Sequence, residues 1–79
     1  MDMVIWELPE ATPERPHCIK YRLHYGPPGE TLLRYDNEKG KGDHRHDRRG
    51  ETVYKFKDVD TLVADFLRDI EKIRGERLD

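Results

Sequence analysis

Near the end of the chain, Val59, Leu62, Val63, Phe66, Leu67, Ile70 and Ile73 recur at i, i+3, i+4, i+7, i+8, i+11 and i+14. That spacing puts all seven on one broad stripe of an α-helix, and no strand register can do so. Asp58 or Asp60 is placed to cap the helix N-terminus, and Asp60 and Asp65 favour its N-terminal half. Gly75 stands where the residue after the last turn belongs. A helix with a single apolar stripe must cover another apolar surface, so the rest of the chain has to supply one.

Residues 18–25 supply the clearest half of that surface. Ile19, Tyr21, Leu23 and Tyr25 alternate with Lys20, Arg22 and His24, which reads as a strand with one buried and one cationic face. Gly26-Pro27-Pro28-Gly29 is a tight reversal, so the next strand, residues 30–36, runs antiparallel with Thr31, Leu33 and Tyr35 on one face. Residues 51–57 alternate again, Thr52, Tyr54 and Phe56 against Val53, Lys55 and Lys57. Residues 1–8 read as a further strand in which Val4, Trp6 and Leu8 share a face, before Pro9, Pro13 and Pro16 break regular structure.

The expected fold is therefore α+β: an antiparallel four-stranded meander sheet packed against one C-terminal amphipathic helix, a single domain over residues 1–79 with a frayed tail at 75–79. The helix is expected on the face bearing Ile19, Tyr21, Leu23, Leu33, Tyr54 and Phe56. The opposite face then displays Lys20, Arg22, His24, Arg34, Lys55 and Lys57. Trp6, Tyr21, Tyr25, Phe56 and Phe66 are expected in the core, whereas Tyr35 and Tyr54, near a long connection, divide evenly between core and ligand contact.

At 79 residues only about 60% of the unfolded chain's surface can be buried, so a domain of this size needs a supplement to its core. Cys18 is the single cysteine and cannot form an internal disulfide, which fits a reducing cytoplasm. Exposed strand edges and a one-helix cover make a homodimer the expected supplement. No apolar run approaches the roughly 20 residues of a membrane span, and the N-terminus lacks the basic and apolar regions of an export signal. The cytoplasm is the expected location. Charge is segregated: residues 1–14 carry −4, residues 15–57 carry +5 and residues 58–79 carry −3. A basic middle between acidic ends favours an anionic partner, nucleic acid being the commonest.

Residues 35–50 carry no apolar periodicity, yet hold two of the four histidines and three of the six glycines. A small domain seldom keeps so long an irregular loop without a function for it. The residues Lys20-Tyr21-Arg22, Tyr25-Gly26, Tyr35-Asp36-Asn37, Gly40-Lys41-Gly42-Asp43-His44-Arg45-His46 and Asp65-Phe66 resemble the TumE-type toxin family of bacterial toxin–antitoxin modules. The similarity runs from about residue 4 to residue 70, and the Gly-Lys-Gly-Asp-His-Arg-His run is its distinctive part. The resemblance implies a small cytoplasmic toxin encoded beside a helix-turn-helix antitoxin and, by analogy to RelE-like toxins, action on RNA. It carries over no catalytic residue, so roles rest on chemistry.

Metal-free RNA scission needs a base for the 2′-hydroxyl proton, an acid for the leaving 5′-oxygen and cations on the phosphate. Imidazoles suit the first two roles because they titrate near working pH. His44 and His46, two apart, point the same way if the backbone is extended. Asp43 is placed to orient one ring, and Lys41 and Arg45 to hold phosphate and stabilise developing charge. These five are the candidate catalytic residues of an endoribonuclease. Lys20, Arg22, His24, Arg34, Arg48, Arg49, Lys55 and Lys57 are candidates for the nucleic-acid backbone and Tyr35 for an unpaired base. No cofactor is expected. The alternatives are a non-catalytic module binding nucleic acid or protein, and a metal site at His44-x-His46 with Asp43, Asp47 and His24.

Overall fold

Alternation along residues 18–25 is realised as β2 (Ile19–Tyr25), whose Tyr21 and Leu23 are wholly buried while Arg22 is exposed. The computed structural model describes residues 1–13, 16–38 and 42–78, with side chains as far as Glu76. Around β2 lie β1 (Asp2–Glu7), β3 (Leu33–Asp36), β4 (His44–Asp47) and β5 (Gly50–Val53), followed by the helix α1 (Val59–Leu78). The strands form one sheet in sequence order, and every neighbouring pair is antiparallel.

An antiparallel meander under one C-terminal helix is the architecture read from the sequence, but with five strands in place of four. The extra strand is β4, which lies within the stretch read as an irregular loop. His-Arg-His-Asp is polar at every position, so no apolar alternation marks its two faces. The strand expected over 51–57 correspondingly shortens to Gly50–Val53, and residues 54–58 form an irregular connection to the helix. Tyr54 N–H still donates to the Asp43 carbonyl at 3.0 Å, carrying the pairing one step past β5.

The β2–β3 reversal shows why its glycines are there. Glu30 N–H donates to the Pro27 carbonyl at 3.0 Å, with Pro28 and Gly29 between and Gly29 at φ +79°, a type II turn. Gly26 is held more tightly. A Cβ there would sit 2.4 Å from the Glu30 carbonyl oxygen.

Tyr21, Leu23, Leu33 and Tyr35 from the sheet meet Leu62, Phe66 and Ile70 from α1 in a single core, flanked by Ile19, Tyr25, Tyr54, Phe56 and Ile73. The Tyr35 ring meets those of Phe66 and Tyr54 edge-on at 5.7 and 4.9 Å. Asp58 is the cap, its Oδ1 accepting the Thr61 N–H at 2.7 Å, which holds the Asp58 carboxyl below its usual range. At the other end the helix runs past Gly75 to Leu78, so Gly75 is an interior helical residue and not the stop signal it resembles.

α1 packs chiefly over β3. Met3 and Ile5 of β1 pair with Leu23 and Tyr21 and so lie on the helix side, yet they are 38% and 36% exposed. Trp6 departs from its expected place in the core. It pairs with Lys20 on the opposite face and is 41% exposed. Cys18 is half-buried and adopts φ +63° in the turn entering β2.

Candidate functional site

Directly paired residues of antiparallel neighbours lie on one side of a sheet, and the register fixes what the open face carries. Asp2, His24, Arg34, His46 and Glu51 form one row across all five strands. Val4, Arg22, Asp36, His44 and Val53 form the next, with Trp6 and Lys20 beyond them. His44 and His46 therefore share this face because β4 is extended, as their spacing requires.

The two rings are held differently. His44 Nδ1 lies 3.0 Å from the Gly42 carbonyl oxygen, an acceptor, so Nδ1 carries the proton and the neutral ring keeps its lone pair at Nε2. That nitrogen is 3.7 Å from Glu51 Oε1. His46 Nδ1 is enclosed and has no hydrogen-bond partner among the described residues, so no protein group fixes its tautomer. Carboxylates balance much of the cationic charge on this face. Arg34 pairs with Asp36 at 2.8 Å, Arg22 with Glu38 at 3.6 Å, and His24 Nδ1 lies 4.0 Å from Asp2.

Arg45 and Asp47 alternate with the histidines and so face the helix. Arg45 Nε donates to Asp69 Oδ2 at 2.8 Å and its Nη1 to Asp47 Oδ2 at 2.6 Å. Tyr35 donates its hydroxyl to the same Asp69 oxygen. Burial alone would lower the Arg45 pKa, but the hydrogen bonds to Asp69 and Asp47 outweigh it and hold the guanidinium charged. Burial likewise pushes Asp69 up, and the Tyr35 and Arg45 bonds reverse it, leaving the carboxyl below its ordinary range. The Arg45 bond also depresses Asp47. One turn earlier on α1, Asp65 accepts the Tyr54 hydroxyl at 2.7 Å. Burial first, and then these carboxylate acceptors, raise Tyr35 and Tyr54.

Asp43 looks to neither β4 histidine. Its Oδ1 accepts the Tyr21 hydroxyl at 2.7 Å and the Asn37 amide at 3.2 Å, and lies 3.1 Å from His17 Nε2. Because His17 Nδ1 accepts the Ile19 N–H at 3.1 Å, Nε2 holds the ring proton and donates it to Asp43. Both ring nitrogens are engaged, so His17 clamps the turn before β2 to the strand entry at 42–43 and has no lone pair for general-base work. Its ring packs 3.9 Å from that of Phe56. Asn37 completes the clamp, accepting the Tyr21 N–H and donating to the Ile19 carbonyl.

Set beside known families, the model for the toxin TumE matches residues 1–74. The chain belongs to the TumE toxin family. It is thus the toxin component of a toxin–antitoxin module, and its partner is an antitoxin. Neither curated proteins nor solved structures yield a match. No described helix is long and apolar enough to cross a membrane.

In this chain the candidate residues do not all come together. His44, His46, His24, Arg34, Arg22 and Lys20 meet on the open face. Arg45 is committed to the helix side and Asp43 to His17. Arg48 and Arg49 form the exposed β4–β5 turn, where Asp47 Oδ1 accepts the Arg49 N–H at 2.8 Å and Arg48 lies 3.5 Å from Glu76. Lys55 and Lys57 are exposed on the connection to α1, beyond the sheet, and Lys41 lies outside the described residues. Tyr35 is 2% exposed and offers no face to a base. No group of three or more His, Cys, Asp or Glu among the described residues is placed to hold a metal ion. The sequence reading has no role for His17 or Asp69 and assigns Trp6 to the core. Only Trp6 carried a readable signal, since an aromatic residue on the face of Val4 in an edge strand is covered only if the helix reaches it.

Proposed function

We propose that this toxin acts on RNA across the open face of its sheet, with His44 and His46 as the acid–base pair of an endoribonuclease. The observation that carries the reading is the pairing of two imidazoles on one face of β4, one with its proton fixed at Nδ1 and its free nitrogen beside a carboxylate. Neutral His44 is built to take the 2′-hydroxyl proton at Nε2, the resulting imidazolium being stabilised by Glu51. The 2′-oxygen then attacks phosphorus, and a protonated His46 supplies the proton to the departing 5′-oxygen. The products are a 2′,3′-cyclic phosphate and a 5′-hydroxyl. Arg34, paired opposite His46, is the nearest candidate for stabilising charge on the phosphate.

The test is cleavage of RNA by purified toxin in EDTA, comparing wild type with the His44→Ala, His46→Ala double variant. Each acid–base group contributes roughly a hundredfold or more, so cleavage should vanish while the far-UV circular dichroism spectrum is retained. A double variant that still cleaves, or still arrests growth, overturns the assignment. Activity lost with chelator would transfer the chemistry to a metal.

A further inference from the structure

Trp6 is the only tryptophan of the chain, and it stands on the open face, opposite to Met3 and Ile5 of its strand. Met3 and Ile5 are turned to the helix side, so the exposed apolar surface of β1 is divided between two faces. On its own face Trp6 is paired with Lys20, whose Nζ lies 5.3 Å from the ring centroid. Arg22 and Arg34 each have a carboxylate partner, whereas among the described residues no carboxylate lies within ion-pair distance of Lys20. An exposed indole beside an ammonium group with no carboxylate partner matches a nucleotide: a π-face for the base and a charge for its phosphate. A protein-docking patch would instead require mostly apolar neighbours on the same face, and here Val4 stands beside the cationic Lys20 and Arg22.

We propose that Trp6 is a base-stacking platform for single-stranded RNA, with Lys20 contacting the adjoining phosphate. This deepens the RNA reading above and rests on it. By sheet spacing, Trp6 lies three strands across and one row along from His44, roughly 15 Å away. A strand crossing the open face is thereby anchored at the β1 edge and presented to the imidazoles of β4. The face selects unpaired RNA, because a base in a duplex cannot offer its ring to the indole.

The experiment uses a single-stranded 2′-O-methyl oligoribonucleotide, which blocks cleavage, and follows both Trp6 emission and the anisotropy of a fluorescein-labelled copy. Binding should quench Trp6 emission. Trp6→Leu should weaken affinity about tenfold, as loss of one base–aromatic stack does, and Trp6→Phe should restore most of it. A duplex of the same sequence should bind more weakly and leave the emission unchanged. If the labelled strand binds Trp6→Leu as tightly as wild type, the platform is refuted and the RNA reading stands. If it does not bind wild type at all, both fall. If Trp6→Leu instead changes self-association in sedimentation without changing RNA affinity, Trp6 is a protein contact and the inference is overturned.

Discussion

Replacing Asp69 with alanine should be among the most damaging single changes available on the helix. Asp69 is 9% exposed and its carboxylate accepts from both Arg45 Nε and the Tyr35 hydroxyl. Breaking a fully buried ion pair by removing one partner costs about 3–5 kcal/mol. Arg45 keeps Asp47 and its side chain is 27% exposed, so solvent and the second carboxylate reduce that figure to about 2 kcal/mol. The Tyr35 hydroxyl, left buried without its acceptor, adds about 1 kcal/mol. A total near 3 kcal/mol is a large part of the roughly 4–12 kcal/mol expected for a domain of this length. It should lower the melting temperature by about 12–24 °C and the urea midpoint by about 2–3 M.

Far-UV circular dichroism in urea measures this effect, since Trp6 is an exposed reporter of little use for the core. The informative companion is the Arg45→Met, Asp69→Leu double variant, which removes both charges and should be less destabilised than Asp69→Ala alone. Asp69 and Asp47 are both held below their ordinary range in the fold. The stability they contribute is present above the unfolded-state pKa of about 4 and is lost as pH falls through the folded-state values. The gap between wild type and Asp69→Ala should therefore narrow on acidification. A loss under about 1 kcal/mol, a double variant as weak as the single, or a gap independent of pH would each refute the ion-network account.

Two glycine substitutions should act in opposite directions. Gly26→Ala drives a Cβ against the Glu30 carbonyl at a positive φ, and should cost about 2 kcal/mol or more in urea unfolding. Gly75→Ala meets open space inside α1 and should stabilise by about 0.5–1 kcal/mol, read as a raised urea midpoint; a drop would mean that the helix ends before residue 75.

What could be read from the chain was whatever apolar periodicity reports. Leu62, Phe66 and Ile70 announced the helix, and Tyr21 and Leu23 the strand beneath it. Periodicity is silent where a buried face is made of charge: β4 escaped notice because its inward residues are Arg45 and Asp47 and their counterpart is Asp69, not a leucine. The same silence hid the Asp43–His17 clamp, since residues 26 apart in sequence become neighbours only once Asn37 ties the end of β3 back to β2. His44 and His46 were legible as a pair through spacing alone. The division of labour between Arg45 and the histidines was not, because it needed the register.

A strand without grease on either side is fastened differently from its neighbours. β2 and β3 are sealed by desolvated rings and leucines, whose hold is indifferent to salt. The outer hairpin of β4 and β5 hangs on its main-chain ladder, one arginine and a tyrosine or two, and such fastenings loosen with ionic strength and acidity. The imidazoles thus stand on a hairpin held largely by charge and hydrogen bonds, so salt and acid should loosen it before they reach β2 and β3.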